Sequence, residues 1–257
     1  MSKFSPQDDT FKIISTLNKT KTFIFYSIFI LAIVLSVFEN TNSLFIYSIS
    51  VLDYILIFSF YILTYLINYY LYPKAEEIRR SDFIDNALNT KFNIKSSEEY
   101  FTNDNIEEGI YKIAVNLFEN CYFTKEISGK MLSKRTIFFV ISSIIILLIS
   151  IQGLKNSLFT KSILQLYLSI YVLGNQIKLF TLHSRMTVKF ERLKNLFSRN
   201  DLDLNNYTEI GRIIKMYIDY ETDLAVLRVN LDSNIFNKMN PKLSENWNEI
   251  KNKYEIK

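Results

Sequence analysis

Arg185, Lys189 and Arg192 follow one another at intervals of four and three residues, which puts three cationic side chains on one face of a helix. Arg79 and Arg80 form a second basic group, and Arg212 and Lys215, one turn apart, form a third. Guanidinium and ammonium groups gathered in this way bind phosphates through charge-assisted contacts. All of them also lie in the polar regions that border long apolar blocks, where basic residues serve to fix topology and to touch anionic lipid. Spacing alone leaves both readings open.

A second set of polar residues lies inside apolar blocks. Asp53 is the one formal charge between Leu44 and Leu71. An unpaired carboxylate in a membrane span is costly, so it faces a pore, a water-filled cavity or a partner unless it sits at the hydrated interface. Lys161, Gln165, Ser169 and Gln176 share one quadrant of a helical wheel, as a pore-facing stripe would. Interhelical hydrogen bonding is the competing use for such side chains.

Other chemistries find little support. Cys121 is the only cysteine and His183 the only histidine, so there is no intrachain disulfide and no basis for a Cys/His zinc site. The five glycines are scattered and form no phosphate-cradling loop. No catalytic residue, metal or cofactor is expected, and the chain does not read as an enzyme.

The stretch that must position these groups is Leu44 to Leu88. It begins as LFIYSISVLDYILIFSFYILTYLINYYL, longer than the roughly 20 apolar residues that cross a bilayer, and runs into KAEEIRRSDFIDNAL at helical spacing. Pro73 falls at the junction, where a new first turn can begin without the missing amide hydrogen bond. Three further apolar blocks, Phe23–Phe38, Thr136–Ile151 and Leu158–Phe180, read as spans. The expected fold is therefore all-α: a polytopic membrane protein with four transmembrane helices and a helical cytoplasmic domain. Its segments are a lead-in at 1–22, spans one and two at 23–71, an insert at 72–135, spans three and four at 136–180, and C-terminal helices at 181–257. Within the insert, Ile110, Ile113, Ala114, Leu117, Phe118 and Cys121 make an apolar stripe suited to a packed core. A helix is expected from about Tyr207 to Val229 and a short one from Pro241 to Tyr254.

Orientation follows from charge. Lys155 is the one basic residue of the expected external loops, with Lys161 at the start of the fourth span, whereas nearly all the rest of the 30 Lys and Arg lie in the three other polar regions. The positive-inside rule places both termini in the cytoplasm. An aqueous path is expected at a symmetry axis between subunits, and a homotetramer is the expected ring.

KAEEIRRSDFIDNAL after the second block, EEYFTN and NLFENCYFTKEI before the third, and LDSNIFNKMNPKLSENWNEIKNKY at the end resemble the four-transmembrane effectors of bacterial nucleotidyltransferase defence operons. The resemblance implies a membrane-disrupting or channel-forming effector of antiphage defence in the bacterial inner membrane. Its regulatory ligand would be an oligonucleotide made by a partner nucleotidyltransferase. In some such systems a cyclic oligonucleotide opens the effector; in the Hailong-type variant a short single-stranded DNA oligomer holds a tetrameric channel shut. The three basic groups would then bind phosphates, and Phe190 and Tyr207 would offer stacking surfaces for bases. A small membrane transporter and a non-conducting membrane scaffold are the rival classes. The first is disfavoured by scarce Gly and Pro and by the absence of an intramembrane carboxylate and histidine relay.

Overall fold

The computed structural model describes residues 5–38, 44–95, 97, 103, 105–152, 174–199 and 202–256. Among these residues there is no strand. The helices are α1 (Asp8–Val37), α2 (Leu44–Tyr65), a π-helical turn (Leu66–Leu71), α3 (Tyr72–Leu88), α4 (Ile110–Gln152), α5 (Gly174–Phe197), α6 (Tyr207–Leu227) and α7 (Ser233–Lys253). They form two compact units. The first comprises Met1–Asp8, Glu76–Ile137 and Asn175–Lys257, and the second Asp9–Ala75 and Phe138–Gly174.

The first unit thus gathers most of the two polar segments expected at 72–135 and 181–257, with 72–75 assigned to the other unit. Its core is built on the predicted stripe of α4, where Ile113, Ala114, Leu117, Phe118 and Cys121 are buried. Leu179, Leu182, Met186, Phe190, Leu193 and Leu196 of α5 recur every three or four residues and are buried in the same core, as are Ile213 and Tyr220 of α6 and Leu243 and Trp247 of α7. Phe118 is the hub: its ring stacks on Phe197 at 5.3 Å and meets the edge of Trp247 at 5.3 Å. Burying such a ring stabilises by about 1.5–3 kcal/mol through removal of apolar surface from water. Beside it lies a closed polar network, in which Asn103 donates to Asn116 and Glu119, Asn116 donates to Asn86, and Trp247 donates to Asn103. Every one of these bonds satisfies a group that would be costly to bury alone.

Local signals set the helix ends. Asn89, at φ +54°, is a left-handed residue just beyond α3, where Asn is tolerated. Two buried carboxylates then shape the following turn: Asp85 accepts from Thr90, Phe92 and Asn93, and Asp82 from the Ser97 amide. Asn206 caps α6 by accepting from the Thr208 amide. Asp232 caps α7 by accepting from the amides of Asn234 and Ile235. Here the structure corrects the expected short helix, because α7 starts eight residues before Pro241 and carries that proline inside. An internal proline costs about 3 kcal/mol, and the buried Ile235, Leu243 and Trp247 on either side offset it.

In the second unit α1 is one helix from Asp8, so the expected lead-in and first span are continuous rather than separate. Phe11 meets Tyr72 edge to face at 6.0 Å, and Phe25 lies 6.0 Å from Phe60. As one index rises the other falls, so α1 runs antiparallel to the 44–75 stretch of its own unit. Ile14, Ile67, Tyr72 and Ala75 close its small core. The turn before Pro73 widens to π geometry, with the Tyr72 N–H donating to the Ile67 carbonyl. A regular turn would drive the proline ring against the carbonyl four residues back, so the chain passes Pro73 without breaking. Leu44–Leu88 is thereby one helical run of 45 residues, and among the described residues it is the one helix long and apolar enough to cross a membrane. No α2 residue is buried, and Phe45, Tyr54, Phe58 and Tyr61 are exposed. The expected third span lies within the single helix α4, and most of the expected fourth, from Leu158 to Leu173, lies outside the described residues.

Gly129 of α4 makes room for the His183 ring of α5. A methyl group there would sit 2.9 Å from His183 Cε1, and the His183 ring is held by its Nδ1–H donating to the Lys125 carbonyl at 3.0 Å. Helix propensity favours alanine over glycine by about 1 kcal/mol, but overpacking costs about 1–3 kcal/mol. Gly129→Ala is therefore expected to lower the thermal midpoint, and His183→Ala in the same chain to restore it, as read by circular dichroism in detergent. An unchanged or raised midpoint in the single variant would refute the clash.

Candidate anion-binding cleft

α5 and α6 lie side by side in the first unit and flank an open cleft of about 330 Å³. One wall carries Ser184, Arg185, Val188, Lys189 and Arg192 from α5, and the other Asp219, Thr222 and Asp223 from α6. The four-and-three spacing of the cations thus brings all three to one cavity. The facing carboxylates, Asp219 and Asp223, are themselves one turn apart. Asp223 accepts from Arg185 through one oxygen and from Lys189 through the other. The Asp223 and Lys189 side chains are largely enclosed, at 8% and 13% exposed, whereas that of Arg185 is 50% exposed and Arg192 lies in the open. Lys215 bonds Asp219 at 2.7 Å and holds its carboxyl below the usual range, with Lys189 and Arg192 adding to the effect. Three cations against two carboxylates leave the cleft walls net positive.

The other expected ligand residues fare differently. Arg79 is enclosed between Glu76, 2.7 Å away, and Glu221, which it grips with both terminal nitrogens. Burial alone would push its guanidinium down, but Glu221 and Glu76 overturn that and hold it well above its ordinary value. Its hydrogen bonds go to Glu76 and Glu221, and it is not among the residues that line the cleft. Arg80 is half-buried and adds a weaker field at Glu221. Arg212 bonds Glu209 at 2.7 Å on the exposed side of α6.

For Phe190 the expectation is corrected. Its ring is buried against Phe118 at 5.2 Å and Tyr122 at 5.8 Å, with the Lys125 ammonium 4.5 Å from its centre. No base can stack there without opening the core. Tyr207 is 89% exposed, but it starts α6 and lies twelve residues, about 18 Å along the helix, from Asp219.

Of the expected pore residues, Gln176 is half-buried and donates to Thr136 Oγ1 at 2.9 Å, the interhelical bond that competes with a pore role. Asp53 is half-buried in α2, and its Oδ1 has no hydrogen-bond partner among the described residues. Gln165 and Ser169 lie outside the described residues. Among those described, no group of His, Cys, Asp and Glu could hold a metal ion. Sequence reasoning missed Glu221 and Asp223, the α6 carboxylates that engage α3 and α5. Their signal was the acidic pair Asp219 and Asp223 at a spacing matching Arg185 and Lys189.

Comparison of the chain with protein-family models, with curated proteins and with solved structures gives no match.

Removing one partner of a buried ion pair typically costs about 3–5 kcal/mol, because the other charge is stranded. Arg79→Met is expected to destabilise the protein by that order, and Arg79→Met with Glu221→Met by less than the sum of the single changes. Additive losses in thermal unfolding would show that the two side chains do not interact.

Proposed function

We propose that this chain is the subunit of an oligonucleotide-gated membrane channel, a pore-forming effector of bacterial antiphage defence. In this reading it crosses the inner membrane four times with both termini cytoplasmic, assembles as a homotetramer, and responds to a cyclic or short single-stranded oligonucleotide made by a partner nucleotidyltransferase. The observation that carries the reading is the net-positive cleft on α5. That helix continues, in sequence, directly from the fourth apolar block. A ligand held there touches the segment that leads into the span, and a ligand gates only through differential affinity for the open and closed states. Repetition of Arg185, Lys189 and Arg192 in four subunits would concentrate a positive field attractive to a polyanion.

The cleft is also what favours this reading over a transporter or a passive scaffold. Neither of those needs three convergent cations on a helix leading to the membrane. Asp53, with an unpartnered carboxylate oxygen in the apolar run, is the residue expected to favour cations in the pore.

Potassium flux from liposomes tests the proposal. Wild-type protein is expected to conduct, to run as a tetramer in native mass spectrometry, and to change its flux when given a cyclic trinucleotide or a short single-stranded DNA. Arg192→Ala is expected to weaken that response by about tenfold or more in ligand concentration, the loss of one charged contact, with the tetramer intact. Asp53→Asn is expected to weaken cation preference. A monomer without conductance would refute the reading.

A further inference from the structure

Three features of the cleft point past simple phosphate binding. Each oxygen of Asp223 is taken by a different cation, Oδ1 by Arg185 and Oδ2 by Lys189, and its carboxylate is almost wholly enclosed. Arg192 stands on the same wall, exposed and without an ion pair among the described residues. Among those residues the two Asp223 contacts are also the only ion pairs that join α5 to α6.

We infer that Asp223 is a built-in occupant of the anion site: its carboxylate stands where a ligand phosphate binds, and the ligand enters by taking Arg185 and Lys189 from it. This rests on the nucleotide-ligand reading above. Carboxylate and phosphate oxygens are recognised by the same kinds of donor, so one anion replaces another on Arg185 and Lys189, and Arg192 is added. Arg192 and the half-exposed Arg185 receive the phosphate first, and the enclosed Lys189 follows. Asp223, once displaced, no longer fastens α6 to α5. Occupancy of the cleft and release of the helix pair are then one event, and the protein in its locked arrangement binds the ligand more weakly than in its released one.

The test uses full-length protein in detergent and two fluorescent probes, a cyclic trinucleotide and a short single-stranded DNA, with affinity measured over a range of salt. Asp223→Asn, which keeps the side-chain shape and removes the competing charge, is expected to bind a probe at least about tenfold more tightly than wild type, the worth of one charged hydrogen bond. With the DNA, the slope of log affinity against log salt is expected to stay that of wild type, because the ligand ends on the same three cations in both proteins. Asp223→Glu, which keeps the charge, is expected to resemble wild type. Equal or weaker binding by Asp223→Asn beside measurable wild-type binding overturns the inference and leaves the nucleotide reading standing, with Asp223 a structural partner only. Failure of both proteins to bind either probe overturns the reading and the inference together. Hydrogen exchange on wild type gives an answer that no variant needs to fold for: saturating probe is expected to speed amide exchange along 219–227, and slower exchange there overturns the inference.

Discussion

Two carboxylates two residues apart, on opposite sides of α6, hold the first unit in its arrangement. Glu221 grips Arg79 of α3, and Asp223 grips Arg185 and Lys189 of α5. Burying an ion pair is not in itself a large source of stability, because both charges lose hydration. What it supplies is register, since a carboxylate one residue out of place would leave two or three charges stranded in a dry interface. The apolar packing around Phe118 provides the bulk of the cohesion, and the two acidic side chains specify which faces meet.

The two ion-pair sets differ in their access to water. Arg79 and its partners are mostly buried and line no cleft, with the guanidinium between two carboxylates. Asp223 borders a cavity, and one of its cations reaches solvent. Charges that border no cleft leave little room for an outside anion, while charges at the edge of a cleft can be exchanged for others. The same helix therefore carries one joint away from the cleft and one exchangeable joint at its edge, two residues apart.

Much of this was visible in the residues. The α4 stripe was legible because its apolar positions recur at helical period, and the cations of α5 because their four-and-three spacing admits one face. Their occupancy was not legible, since nothing in a basic helix names the acidic helix that will meet it. Phe190 is instructive: it follows Lys189 by one residue, a rotation of about 100°, so it could never have shared the basic face, and the core claimed it. Pro241 misled for another reason. Proline at a helix start is common, but the acceptor at Asp232 and the burial of Ile235 outweighed it. Pro73 was correctly placed at a joint, yet a wide turn carries the helix through where a fresh start was expected.

That wide turn also sets a phase. A π-turn accommodates an extra residue in the helix, so side chains on its two sides are offset by the rotation of one residue, about 100°. The apolar pattern of α2 and the mixed pattern of α3 can thus each suit their own surroundings without a common stripe. Deleting one residue between 66 and 71 would return the backbone to regular α geometry while turning every α3 side chain relative to α2. The helix would be locally more ordinary, and Pro73 would again press on a carbonyl. In this chain the irregular turn is the part that keeps two regular ones independent.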